Sequence, residues 1–117
     1  MINNYKDLIV WQKGMDLVDT VYRISAKLPA SEQFGLISQM GRCAVSVPSN
    51  IAEGYGRQAT REYRHHLLIS RGSLLELETQ LLLCRRLNYL AEQDTVVVMA
   101  KIAEISKMLG SLVSKLT

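Results

Sequence analysis

The sequence predicts an all-α protein, an up-down-up-down bundle of four helices. Its 117 residues include only two prolines and seven glycines, so long uninterrupted segments remain. Along these segments apolar residues recur at spacings of three and four, which is the period of an α-helix. Only short connections separate the segments, which favours antiparallel neighbours. An apolar share of 48% fits one folded domain over residues 1–117.

The predicted helices span about residues 6–27, 34–56, 61–88 and 93–116. Ser31 and Thr60 precede the second and third helices and are predicted to be their N-caps. Gly54 and Gly56 are predicted to end the second helix.

Pro48 lies inside the second helix and removes one backbone hydrogen bond. Because the apolar rhythm continues in phase to Ile51, the sequence favours one kinked helix over two shorter ones. Ser46 and Ser49 are expected to help satisfy the loosened carbonyl groups.

The second helix also carries two opposite stripes. The apolar stripe contains Ile37, Met40, Ala44, Val47 and Ile51, and the polar stripe contains Gln39, Arg42, Ser46, Ser49 and Glu53. The polar stripe has two interpretations, a buried hydrogen-bonded network or the lining of a central channel in an oligomer. The favoured network comprises Gln39, Arg42, Asn50, Glu53, Ser73, Glu76 and Gln80.

The first and third helices are apolar over more than one face. In the first helix, Leu8, Trp11, Met15, Val18 and Tyr22 form a stripe beside that of Val10, Leu17, Val21, Ile24 and Leu28. The third helix points leucines in several directions. A four-helix bundle buries about one face per helix, so this surplus predicts a homo-oligomer. The alternative is a tighter monomer with generous burial.

A basic cluster marks the start of the third helix. The net charge is only +3, but Arg57, Arg61, Arg64, His65 and His66 lie close together along the chain. Cations beside the unpaired N–H groups of a helix N-terminus favour anions such as the phosphates of RNA or DNA. The alternative is a solvated turn with intramolecular salt bridges.

No residue pattern indicates an enzyme, a cofactor or a metal centre. The spacing of Glu62 and His65 matches the Glu-x-x-His of di-iron bundles, which need a second copy that is missing here. Cys43 and Cys84 are expected to be buried free thiols. Without a leader or an apolar run of roughly 20 residues, we expect a cytoplasmic protein with no membrane segment.

Five segments resemble a known family: LIVWQ (8–12), QFGL (33–36), QMGR (39–42), SVPSNIAEGYGR (46–57) and SRGSLLELETQL (70–81). They are similar to the four-helix-bundle proteins encoded in bacterial 23S rRNA intervening sequences. The resemblance implies a ring-like homopentamer. It also implies a distant similarity to the accessory variability protein of diversity-generating retroelements, a basic pentamer associated with a reverse transcriptase and nucleic acid. Arg71 departs from the small residue that many relatives carry there.

Together these observations predict a non-enzymatic oligomeric bundle that binds RNA or another nucleic acid through the cluster at residues 57–66. The alternative is a protein-interaction scaffold that holds a protein partner on its surplus apolar faces.

Overall fold

The computed structural model describes residues 2–116 and contains four α-helices. They are α1 (Ile9–Ser25), α2 (Leu36–Gly56), α3 (Thr60–Arg86) and α4 (Glu92–Lys115). Each helix packs against its neighbours in the chain, and α1 also packs against α4. The backbones of the diagonal pairs, α1 with α3 and α2 with α4, lie farther apart among the described residues. The predicted all-α four-helix fold is therefore confirmed, and the bundle measures 43 × 23 × 21 Å.

The core is built from the apolar stripe of each helix. Leu17, Met40, Leu74 and Ile105, one from each helix, are almost completely buried. Cys43 and Cys84 are buried free thiols, as predicted. Burial is the main reason that the pKa of each thiol is raised.

The helix starts differ from the prediction. Ser31 is not the cap of α2, because it lies in a short 3-10 turn, Ala30–Glu32, and α2 begins at Leu36. The carboxylate of Glu32 accepts the Leu36 N–H at 3.1 Å and also accepts the Tyr89 hydroxyl at 3.0 Å. Thr60 is the first residue of α3, and its start has no side-chain cap.

The second helix is continuous through Pro48, which confirms one helix over two shorter ones. The expected role of Ser46 and Ser49 was wrong, because neither hydroxyl donates to a carbonyl among the described residues, and Ser46 Oγ instead lies 2.9 Å from Ser73 Oγ. Asn50 Nδ2 donates to the Ser46 carbonyl, and Ser70 Oγ donates to the Val47 carbonyl, each at 2.9 Å.

Gly54 and Gly56 were predicted to end α2, but they have different roles. The helix ends at Gly56, and the left-handed residue that follows is Gln58, with φ of 57°. Gly54 is buried inside the helix, where an added Cβ would lie 2.7 Å from the Cβ of His66. Its missing side chain lets α2 and α3 approach each other closely.

The surplus apolar side chains stay exposed in the single chain. On α1 these are Met15 and Tyr22, and on α3 they are Leu68, Leu75, Leu82 and Leu83. The single chain therefore does not bury these side chains, as the alternative of a tighter monomer would require. Among residues 2–116, no helix is both long enough and apolar enough to span a membrane.

Candidate nucleic-acid interface

The five residues predicted to bind anions, which we call the basic turn, lie where α2 passes into α3. Arg57 directly follows the last residue of α2, and Arg61, Arg64, His65 and His66 lie in the first two turns of α3. Only residues 57–59 connect the two helices, so the fold does bring the predicted residues to one end of the bundle.

Arg57 is held by two carboxylates. Its Nη2 donates to Glu53 Oε2 at 2.7 Å, and its Nη1 lies 3.6 Å from Glu62 Oε1. The hydrogen bond from Arg57 is the main cause that lowers the pKa of Glu53, and the nearby His66 lowers it further. The same hydrogen bond raises the pKa of Arg57. The charge of Arg57 is therefore largely offset within the chain.

Arg61 and Arg64 are exposed and make no ion pair among the described residues. His65 is also exposed, and its ring centre lies 5.6 Å from that of His66 in an edge-on arrangement. Within residues 53–66, three arginines and two glutamates leave one net positive charge. Arg61 and Arg64 are the two cations that remain free to meet a phosphate.

His66 has a structural role and is half-buried between the helices. Its Nδ1 lies 2.9 Å from Asn50 Oδ1, and its Nε2 lies 3.8 Å from Glu53 Oε2. Because Asn50 Nδ2 already donates to the Ser46 carbonyl, Asn50 Oδ1 is the acceptor and His66 Nδ1 carries the proton. His66 is therefore oriented by α2 and is less available to a ligand than His65.

The polar stripe divides into two parts. Near the basic turn, Ser46 Oγ and Ser73 Oγ lie 2.9 Å apart, and Asn50 joins them to His66. Further along, Gln39, Arg42 and Glu76 are exposed and line a shallow groove of 220 Å³ between α2 and α3, with Cys43, Ser46 and Ser73. Gln80 is buried, and its Oε1 has no hydrogen-bond partner among residues 2–116. The single chain therefore contains a half-buried network in place of the buried one expected from the sequence.

The pairing of Arg57 with Glu53 was not predicted from the sequence. Glu53 lies four residues before Arg57, which is the spacing at which opposite charges pair on a helix, so the signal was present. Glu62 belongs to this ion-pair cluster. Among residues 2–116, no three His, Cys, Asp or Glu side chains are grouped closely enough to hold a metal ion.

Asp94 provides a second ion pair, at the start of α4. Its carboxylate accepts from Lys27 Nζ and from the backbone N–H of Ala91, both at 2.8 Å. The bond from Lys27 is the main cause that lowers its pKa, followed by the bond from Ala91. This contact fixes the start of α4 to the segment that follows α1.

We expect the free energy of unfolding to fall in acid. Glu53 and Asp94 have lower pKa values folded than unfolded, so they stabilise the protein above the unfolded pKa of about 4. That contribution is lost as the pH falls through the folded pKa. Urea unfolding between pH 7 and pH 3 checks this, and Asp94→Asn should flatten the acid limb while Asp19→Asn, at an exposed carboxylate, should not. An unchanged acid limb in Asp94→Asn would contradict the expectation.

Comparison with known proteins identifies the family of this chain. A model of the 23S rRNA-intervening sequence protein family matches residues 6–111, which is nearly the whole chain. The chain belongs to this family.

A solved structure supports the fold of this family member. The crystal structure of a protein of unknown function from the S23 ribosomal protein family of Bacteroides thetaiotaomicron VPI-5482 superposes with a TM-score of 0.83 at 23% identity. The match covers 90% of this chain and 98% of the other. No curated protein matches the chain. The resemblance noted in the sequence is therefore confirmed at the level of family and fold.

Proposed function

We propose that this protein is a non-enzymatic homo-oligomer that binds nucleic acid, RNA in particular, through a basic turn repeated in every subunit. The observation that carries the proposal is the pair of exposed arginines, Arg61 and Arg64, that have no ion-pair partner among residues 2–116. One copy offers too few phosphate contacts for strong binding, but copies arranged in a ring add theirs together.

The apolar surface supports assembly into a ring. Leu68, Leu75 and Leu82 are spaced by seven residues and form one exposed line along α3, which we call the leucine line. A different apolar surface, a groove of 590 Å³ that includes Tyr22 and Phe34, lies between α1 and α2. Two different apolar surfaces on one chain favour head-to-tail contacts, which give a ring when the rotation between subunits closes. A ring of five is the number that the family resemblance implies.

Salt-dependent binding tests the nucleic-acid part of the proposal. The double variant Arg61→Gln/Arg64→Gln should bind single-stranded RNA more weakly, and the slope of log affinity against log salt should fall by about one per lost phosphate contact. Arg57→Gln should have a smaller effect, because Glu53 and Glu62 already hold Arg57. Fluorescence anisotropy at several salt concentrations measures both.

The matched control removes two positive charges elsewhere. Lys101→Gln/Lys107→Gln, on α4, causes the same change in net charge and should leave the salt slope unchanged. RNA binding that both double variants reduce equally would show a general charge effect and would contradict a role for the basic turn.

The exposed leucines also suit a second candidate, a scaffold that holds another protein. Recovery of one stoichiometric protein partner from nuclease-treated lysate, without any RNA in untreated lysate, would favour that candidate.

A further inference from the structure

The end of the bundle that carries the basic turn also contains a separate groove. It has a volume of 320 Å³ and is lined by Asn3, Tyr55, Gln58, Ala59, Thr60 and Tyr63, which we call the tyrosine groove. Pockets that take small ligands usually begin at roughly 300 Å³, so this groove has room for a single planar ring system. None of its residues belongs to the basic turn.

Two aromatic rings form the apolar part of the groove. Tyr55, from the last turn of α2, and Tyr63, from the first turn of α3, meet edge to face with ring centres 5.9 Å apart. Both side chains are half-buried, so each is held by the fold while part of it still lines the groove. An edge-to-face pair leaves aromatic surface on which a further ring can pack.

Uncharged polar groups complete the lining. Asn3 and Gln58 each supply an amide, and Thr60 supplies a hydroxyl. The segment that bears Asn3 is tied down, because the Asn3 N–H donates to Asp7 Oδ2 at 3.0 Å. The Tyr63 hydroxyl can donate a hydrogen bond, and burial raises its pKa above the ordinary value. Amide and hydroxyl groups of this kind can both donate to and accept from the edge of a base.

The free cations of the basic turn lie next to this groove along α3. Thr60 lines the groove, and Arg61 is the next residue in the chain. Arg64 lies four residues after Thr60, so the two side chains are neighbours on the same side of α3. An aromatic platform beside phosphate-binding arginines is the arrangement that single-stranded nucleic-acid-binding proteins use.

We propose that the tyrosine groove takes one unpaired nucleobase, packed against Tyr55 and Tyr63, while Arg61 and Arg64 contact the adjoining phosphates. The inference rests on the proposed function and makes it more specific. The ligand is a single strand with an accessible base, and a duplex offers only its phosphates because its bases are stacked inside.

Binding to three matched probes tests the inference with the full-length chain. The probes are a mixed-sequence single-stranded RNA, a duplex RNA of the same length and an abasic strand of the same length. The wild type should bind the single-stranded RNA most tightly. Tyr55→Leu should weaken that binding by about 5- to 150-fold per base, leaving the affinity for the abasic strand and the salt slope unchanged.

Tyr55→Phe is the matched control, because it keeps the ring and should keep most of the affinity. A second measurement does not depend on how well a variant folds. Ultraviolet cross-linking of a thiouridine-containing RNA to the wild type should yield adducts on peptides that contain Tyr55 or Tyr63.

The possible failures are distinguishable. Equal affinity for the single-stranded and abasic strands, together with no effect of Tyr55→Leu and no adduct at either tyrosine, would overturn the base site and leave the proposed function standing. No binding of any probe at low salt would overturn both.

Discussion

Replacing both Leu75 and Leu82 with glutamate is expected to turn an assembly of several subunits into a monomer of 13.2 kDa. The two side chains are 63% and 48% exposed on the leucine line. In an isolated chain, polar substitutions at such surface positions change the free energy of unfolding by about 0.5 kcal/mol or less. In an assembly that covers the line, two unpaired carboxylates would be buried, at a cost of several kcal/mol each.

Light scattering at micromolar concentration measures this effect, and circular dichroism checks that the helices persist. Val97→Glu is the control, because Val97 is 60% exposed but belongs to α4, whereas the leucine line belongs to α3. The control should assemble like the wild type. A wild type of 13.2 kDa, or a double variant with the mass of the assembled wild type, would contradict the proposed contact.

Gly54→Ala should destabilise the protein by about 1–3 kcal/mol, although alanine is normally the better residue in a helix by ~1 kcal/mol. The added Cβ would lie 2.7 Å from the Cβ of His66 and 3.2 Å from the carbonyl oxygen of Tyr63. Neither atom can move without shifting the backbone of α3. The two helices must therefore separate, which would also disturb the contact of His66 with Asn50.

Gly56→Ala is the matched control, only two residues away. A Cβ at Gly56 would meet no atom within 4 Å, so this variant should be as stable as the wild type or up to about 1 kcal/mol more stable. Urea unfolding compares the two variants. Equal free energies of unfolding for Gly54→Ala and Gly56→Ala would show that the close approach of α2 and α3 at Gly54 does not contribute to stability.

Much of the fold could be predicted because it depends on periodicity. The spacing that placed Met40, Ala44 and Val47 on one face also placed them in the core, and the rhythm across Pro48 correctly indicated one helix. The start of α2 could not be predicted from Ser31. The first N–H of the helix, that of Leu36, donates to Glu32. The position of Glu32 depends on a 3-10 turn and on the hydrogen bond from Tyr89, far along the chain.

The candidate site shows the same division. The chain order grouped the cations of the basic turn, and the structure keeps them together. The spacing of four residues indicates Glu53 as one partner of Arg57. The chain order could not indicate that Glu62 is a second partner while Arg61 and Arg64 remain free, because that depends on how α2 meets α3. The tyrosine groove was also hidden, since Asn3 is distant in sequence from Tyr55 and Tyr63.

The sequence by itself determined the class of fold, the four helices, the core face of each and the two buried thiols. These follow from local spacing and from the hydrophobic effect, which act along a single helix. Only the tertiary structure decided that Gly54 allows close packing, that Glu32 caps α2 and which arginines are free. Each of these depends on atoms that come together only when two or more distant segments pack, so no local pattern specifies them.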